Sequence, residues 1–472
     1  MNRIKFGTDG WRGFIADDFT FAGVRLAAQA IADYLKESGM SAQGVVIGYD
    51  SRFLSEQFAD AAAGVMAGNG INSWLTAQAT PVPVTAFGVK ALGAAGAVMI
   101  TAGHNSPQYS GIKFISEYAG PASLEITESI ERITAKLQMA EIVFLPPAVG
   151  RERGLISGID VKPLYLNHLQ RLLNFRAFYR NSLKVVVDPM WGAGRGYLEE
   201  IVKETKVEVD VIHGHRDVLF GGRGPEPAAA GLISLREAVL EKGADVGLAL
   251  SGDGGRFGVI DSDGEYIAAN EMLPLILYYL MEDRNWRGTI TRSVATTHLL
   301  DRIADEYGLP VMETAVGFRH IARSLIDHSS VLGGEESGGM SVEGHIPEKD
   351  GILAVALIVE MMAARGKSLR RLKKELAEKF GCLLSARLDL ECEARQKEKL
   401  IALLQKWAPL KIGGKVVAER RTVDGVKIIL EDGSWVLARP SGTEQLFRIY
   451  AEAGSREELD RLQNSARRVL GL

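Results

Sequence analysis

Two hydrophobic rhythms alternate along most of the 472-residue chain. Short apolar runs, GVVIGYD, GAVMITAG, LKVVVDP, VEVDVIHG, ADVGLALSGD and SVLGG, have the form of buried strands. Between them lie longer stretches with apolar residues at three- and four-residue spacing, such as FAGVRLAAQAIADYLKESG and SLREAVLEKG, which predict amphipathic helices. Strand-then-helix repetition predicts α/β layers with mostly parallel sheets. The last hundred residues change character: FGCLLSARLDLE, GKVVAERR, DGVKIILEDG, SWVLARPSG and FRIYAEAG predict an antiparallel meander flanked by helices.

The rhythm restarts several times, and PPAVGRERGLISGIDVKPLY reads as a connector between the first two units. The expected division is 1–152, 153–260 and 261–374 as α/β domains, with 375–472 as a smaller α+β domain. That agrees with a length worth about three or four domains. Nearly every candidate motif begins where a predicted strand ends, which is where open α/β sheets bind ligands.

Composition narrows the partners. A formal net charge of −4 and a pI near 6.1 give no electrostatic reason to expect nucleic acid or an anionic membrane, so any bound anion needs a local site. Cys382 and Cys392 fit neither a disulfide framework nor a zinc pattern and read as reduced thiols. The first residues lack a signal-peptide core and no run reaches the ~18 apolar residues of a membrane span, so a cytoplasmic location is the expectation.

Six loops could carry chemistry. TAGHNSPQYSGIKF (Thr101 to Phe114) has the build of a reactive loop, yet Gly103 stands where a nucleophile belongs. RPSGTEQLFRIY sets Arg439 and Arg448 around Ser441, Gly442 and Thr443; hydroxyls, backbone amides and guanidinium groups suit a phosphate. Taken alone it is equally a hairpin with a surface arginine. GGEESGG, with Glu335 and Ser337, suits sugar hydroxyls or is a solvated acidic turn. LSGDGGR offers Asp253 with only Ser251 as a neutral helper, a poor donor set for a hard cation. FGTDGWRG and ETAVGFRHI place Arg12, and Arg319 with His320, beside glycines.

As an ordered set, these loops resemble the α-D-phosphohexomutase family, the phosphoglucomutase/phosphomannomutase enzymes, over essentially the whole chain. FGTDGWRG resembles its N-terminal arginine motif and TAGHNSPQYSGIKF its phosphoserine loop, commonly TASHNP followed by YNGxK. SGDGGR falls on the metal loop, commonly DGDxDR, and FGGRGPEP on a further signature. GEESGG matches the sugar loop, and RPSGTEQLFR the phosphate loop, usually SGTEP. The resemblance implies three similar α/β domains with mixed sheets and a smaller α+β domain around a central cleft. It also implies interconversion of hexose 1-phosphates and 6-phosphates of glucose or mannose. In that reaction a phosphoserine donates its phosphoryl group, a bisphosphorylated hexose forms and serves as activator, and Mg²⁺ is held by three aspartates and the phosphoserine.

Carried over residue by residue, the resemblance puts the phosphoserine at Gly103, which has no oxygen to phosphorylate. It puts the metal aspartates at Ser251, Asp253 and Gly255, of which only Asp253 remains. Arg319 replaces the usual lysine of VGFK, and Ser106 and Gln445 replace prolines. The binding side persists: Arg12, His104, Lys113, Glu335, Ser337, Arg439, Ser441, Gly442, Thr443 and Arg448. The losses share one logic. A phosphoserine carries about −1.5 to −2 charge, and without it three clustered aspartates lose their metal and repel one another. The expectation is a family member that binds hexose phosphates with Mg²⁺ weak or absent and impaired turnover. The alternative is a wholly non-catalytic phosphosugar-binding or regulatory protein.

Overall fold

A computed structural model describes residues 4–7, 10–441 and 446–471. The chain forms two compact units, residues 1–268 with 337–369, and residues 269–336 with 370–472.

The first unit contains two mixed sheets. In the six-stranded sheet, β1 (Trp11–Phe14), β2 (Val45–Tyr49), β3 (Ser73–Thr76), β4 (Gly96–Ile100), β5 (Tyr109–Ser116) and β6 (Ile156–Ile159) run in the order β1-β5-β4-β2-β3-β6. Strands β2, β3, β4 and β6 are mutually parallel, whereas β5 is antiparallel to β4 and to the edge strand β1. Every residue of β2 and of β4 is buried, as expected of continuous apolar runs covered on both faces. The segment Tyr109–Phe114, read from sequence as part of the reactive loop, is strand, so Lys113 projects from β5 and the loop proper is 101–108.

The second sheet of this unit has the order β11-β10-β9-β7-β8. Its strands are β7 (Leu183–Asp188), β8 (Val207–Val211), β9 (Val246–Leu250), β10 (Phe257–Asp261) and β11 (Tyr266–Ile267). The antiparallel hairpin β9–β10 closes over residues 251–256, the turn that carries Asp253.

The second unit begins with the helix Ala269–Glu282, followed by β12 (Thr289–Ser293), which is flanked in parallel by β13 (Val311–Thr314) and β14 (Ser330–Gly334). The chain then re-enters the first unit with β15 (Met340–Val342) and the helix Gly351–Arg365. Asp350 caps that helix by accepting from the Leu353 amide at 3.0 Å, and Gly366 ends it in the left-handed region at φ 61°. Its residues 351–363 are all buried, as a nearly all-apolar helix requires, and the one buried carboxylate, Glu360, accepts from the Asn174 amide at 2.8 Å.

The C-terminal meander is β16 (Leu384–Glu391), β17 (Lys411–Ile412), β18 (Lys415–Arg421), β19 (Val426–Leu430), β20 (Trp435–Pro440) and β21 (Leu446–Ala453). It is ordered β16-β21-β20-β19-β18-β17 and antiparallel throughout. One face packs Ile428, Val436, Ala438, Phe447, Ile449 and Ala451 into a core with the flanking helices. The other face carries Lys427, Trp435, Arg439, Arg448, Tyr450 and Glu452.

A buried ionic cluster ties that second face to the parallel strands of the same unit. Lys427 Nζ donates to the Val294 carbonyl at 2.7 Å and to Glu313 Oε2 at 3.0 Å, and lies 4.2 Å from the Trp435 ring centroid. Arg292, equally buried, reaches Glu313 Oε2 at 2.6 Å and grips both oxygens of Asp301. Burial and the nearby Arg292 outweigh the pull of Glu313 and bring Lys427 down to about 7 from its ordinary 10.5. Between those values the unfolded chain holds a proton that the folded chain has released, so stability rises with pH across that window. Urea unfolding at pH 7 and pH 9 should show the midpoint rising with pH in the parent and rising less in Lys427→Met. Equal pH responses would mean that Lys427 keeps its ordinary proton affinity.

Candidate phosphosugar site

The 101–108 loop is shaped from beneath by one guanidinium. Arg52 is fully buried, and its Nη1 donates to the carbonyls of Ser106 at 2.8 Å and Tyr109 at 2.9 Å. Its Nη2 donates to the carbonyls of Gly103 at 2.8 Å and Asn105 at 2.7 Å. Its Nε pairs with Asp50 at 3.0 Å, and its far side lies 5.1 Å from the Phe220 ring centroid. Asp50 in turn accepts from Thr101 Oγ1 at 2.6 Å and Ser55 Oγ at 3.0 Å, while Thr101 Oγ1 accepts from the Gly103 amide at 2.9 Å. Thr101, the hydroxyl nearest in sequence to Gly103, is therefore committed to holding the loop. The FGGRGPEP segment presses on the same loop: a Cβ at Gly224 would lie 3.1 Å from the His104 carbonyl. His104 and Asn105 are half-buried.

Gly103 adopts φ 61°, a left-handed conformation that glycine takes without strain. A Cβ there would meet Asp253 Oδ2 at 3.5 Å and Arg12 Nη2 at 3.6 Å, both ordinary contact distances. The structure thus brings Arg12, Gly103 and Asp253 to one point, although they come from β1, the β4–β5 loop and the β9–β10 turn. Arg12 Nη1 is aimed by a 2.6 Å bond to Asn105 Oδ1.

The donor set around Asp253 does not fit an octahedral Mg²⁺. Its Oδ1 already accepts from Ser251 Oγ at 2.7 Å and from the Gly255 amide at 3.2 Å. Burial works to push this carboxyl up, but Lys113 and Lys349, with the Ser251 and Gly255 bonds, outweigh it and hold it below its usual range. Two ammonium groups thus stabilise the charge a metal would take, and a hard dication wants more than one carboxylate oxygen. Among the described residues no group of three or more His, Cys, Asp or Glu side chains gathers to hold a metal. Gly255 contributes no ligand, and a Cβ there would touch the Lys349 side chain at 3.4 Å.

The second unit carries Glu335, Arg319, His320, Arg439, Arg448 and Ser441. Glu335, buried at the end of β14, accepts from the Gly317 amide at 2.8 Å and so shapes the loop leading to Arg319. Arg319 is buried in the first turn of the helix Phe318–His328, and the exposed His320 is held below its usual value by partial desolvation and by Arg319. Arg439 and Arg448 face each other across the β20–β21 ladder. Arg439 pairs with Asp424 at 2.9 Å, and Asp424 also accepts from the Val316 amide at 3.1 Å. Tyr450 lies on the same face as Arg448, and its hydroxyl is buried with no partner among the described residues. The Ser441 carbonyl accepts from Lys397 Nζ at 2.5 Å. Gly442 and Thr443 lie outside the described residues. Ser337 is half-buried and falls in the first unit, whereas its motif neighbour Glu335 falls in the second.

Four domain models of one family match in order along the chain. They are Phosphoglucomutase/phosphomannomutase alpha/beta/alpha domain I at residues 3–141, domain II at 163–264, domain III at 268–380 and the C-terminal domain at 390–469. The chain belongs to the phosphoglucomutase/phosphomannomutase family. A phosphoglucomutase/phosphomannomutase of Thermococcus kodakarensis is 31% identical over 96% of this chain and 95% of its own. A phosphoglucosamine/phosphogalactosamine mutase of Sulfurisphaera tokodaii is 28% identical over 98% of both. The solved structure of a phosphoglucomutase/phosphomannomutase family protein from Burkholderia thailandensis shares the fold. Its TM-score is 0.84 at 23% identity, covering 98% of this chain and 96% of that one.

The motifs missed Asp50, Arg52, Lys349 and Asp424, because none belongs to a loop with a recognisable signature. For this member of the phosphoglucomutase/phosphomannomutase family, Arg52→Leu should cost about 3–5 kcal/mol, since it strands Asp50 as an unpaired buried charge. Urea unfolding measures it; a loss below about 1 kcal/mol would mean that the loop is held by other contacts.

Proposed function

We propose that the protein binds hexose phosphates and has lost the phosphoserine route of its family. The observation that carries this reading is the Gly103 position. It lies against Arg12 and Asp253, where a family side chain would act, and it offers no oxygen. Support comes also from the order in which parts were lost and kept. Nucleophile and metal carboxylates are gone together, while Arg439, Arg448, Ser441, Glu335 and Ser337 remain.

In this reading Arg439 with Ser441 and Thr443 takes the phosphate by charge-assisted bonds, and Glu335 with Ser337 takes sugar hydroxyls. Arg12, His104 and Lys113 bind at the phosphoserine side, and Mg²⁺ plays no part. The relatives' names span gluco-, manno- and amino-sugar phosphates, so the substrate class is hexose phosphate without a committed epimer. The division at 152, 260 and 374 assigns one functional loop to each domain, and a cytoplasmic metabolic role follows from such a ligand.

Calorimetry with glucose 6-phosphate and mannose 6-phosphate tests the binding half. Arg439→Ala should weaken it by about 1.5–3 kcal/mol; undiminished binding would remove Arg439 from the site. Restoring the lost parts tests the catalytic half. Cβ contacts at Gly103 and Gly255 of 3.4–3.6 Å leave room for Gly103→Ser and Gly255→Asp, although a serine at φ 61° is strained. Neither Gly103→Ser alone nor Ser251→Asp with Gly255→Asp should yield mutase activity, whereas the triple variant should, in a strongly non-additive way. Arg319→Lys should raise it further, because arginine cannot exchange a proton. Activator-dependent turnover in the unmodified protein would overturn the reading.

A further inference from the structure

A pair of histidines at the start of the buried helix Gly351–Arg365 stands outside the candidate site. Asp350 caps that helix, and its Oδ2 accepts from the Tyr165 hydroxyl at 2.6 Å and from His345 Nε2 at 2.8 Å. The other ring nitrogen of His345, Nδ1, lies 2.9 Å from Nε2 of His168, on the helix Lys162–Leu172. Tyr165, His345 and Asp350 are buried, and His168 is half-buried. The hydrogens follow from the inner end of this chain. The Leu353 amide donates to Asp350 Oδ1, and Tyr165 donates to Oδ2, because burial and then Asp350 keep its phenol protonated. Asp350 is thus the acceptor for His345 Nε2–H. His345 Nδ1 is left as an acceptor in turn, and His168 Nε2–H fills it. Both rings are neutral in this arrangement.

A first proton can enter without breaking a bond. It binds His168 at Nδ1, the Nε2 proton of His168 passes to His345 Nδ1, and His345 becomes an imidazolium still bonded to the Asp350 carboxylate. His168 Nε2 is then the acceptor, so only the polarity of the 2.9 Å bond has reversed. A second proton has no such place. On His168 Nε2 it would set two N–H groups of two cations against each other. The surroundings of His168 oppose it too: Lys90 on the helix Val82–Leu92 and Arg171 on its own helix repel a charge, Asp350 alone attracts one, and the Phe87 ring covers it at 4.9 Å between centroids. His345 is faced by His168, Asp350 and the edge-on Tyr165 ring. Burial first, then His345 and Lys90, hold His168 down to about 4. That lies below its ordinary 6.5, so neutral His168 stabilises the fold above 6.5 and the contribution is lost as the pH falls toward 4.

We propose that His168, His345 and Asp350 form a proton-operated lock on the strap 345–351, which one proton leaves closed and a second opens. Two backbone bonds fasten the end of the strap: the Asp350 amide to the Met340 carbonyl at 2.9 Å, and the Gly351 amide to the Gly254 carbonyl at 3.0 Å, in the β9–β10 turn. Opening therefore loosens the first turn of the helix together with that turn. The lock needs neither a bound ligand nor turnover, so it and the hexose-phosphate reading fail separately.

Hydrogen exchange read by mass spectrometry on the full-length protein tests it, after correction for the intrinsic pH dependence of exchange. Between pH 7 and pH 4, peptides covering 341–353 should lose protection by roughly tenfold or more, while β2 and β4 stay protected. His168→Gln, whose amide still donates to His345 Nδ1 but takes up no proton, should keep the strap protected at pH 4. Nitrogen-15 spectra of the histidine rings, recorded on the parent protein and so independent of any variant, should show His345 doubly protonated while His168 is still neutral. The lock is overturned by a strap that keeps its protection at pH 4, by equal loss in the parent and His168→Gln, or by loss along the whole chain at one pH. Protonation of His168 ahead of His345 would overturn it as well.

Discussion

The buried pair of Asp50 and Arg52 is the constraint on which the candidate site rests. A guanidinium taken out of water must have its donors satisfied, and here three of those bonds go to carbonyls of one short loop and a fourth to Tyr109, where that loop enters β5. The loop cannot rearrange without leaving Arg52 unsatisfied. Its shape is therefore held by bonds from within the protein. The architecture around Gly103 is thus supplied from below, by Asp50 and Arg52.

The same separation of scaffold and chemistry appears in the second unit. Asp424 Oδ2 meets both Arg439 Nε and the Val316 amide, so Arg439 and the VGFR loop share one anchor. Glu335 shapes the neighbouring backbone at Gly317. Lys427, Glu313 and Arg292 then tie the meander's outer face to the parallel strands through buried charge. Each is a charged group whose partner is in the protein, and each positions a loop in which the family resemblance places function.

The fold was largely legible in the sequence because buried parallel strands are written as uninterrupted apolar runs. Val45–Tyr49, Val246–Leu250 and Ser330–Gly334 fall inside the runs read as strands. Tyr109–Ser116 escaped because the motif reading ran straight through it, and a loop signature followed by a strand has no boundary residue to mark the change. The motif residues were legible for a similar reason: glycines, prolines and hydroxyls cluster where a chain turns. Asp50, Arg52, Lys349 and Asp424 were not. In one dimension a charged residue looks like solvent-facing surface, and only the tertiary structure shows that it is enclosed. The two units were not legible either, since the chain leaves the first and returns to it without any compositional signal.

That return has a consequence for biosynthesis. The first unit is discontinuous: residues 337–369 complete it, after residues 269–336 have been spent on the second. Emerging from the ribosome, the first sheets can form early, but the segment bearing Lys349 and the buried helix Gly351–Arg365 arrives only after some 70 further residues, counted from the same boundaries. Until then the surface destined to cover that helix stays uncovered, a long-range closure of the kind that slows folding and exposes apolar area to aggregation. Truncations ending before that helix would accordingly leave a nascent chain that has strands and loops but lacks the apolar insert that seals them.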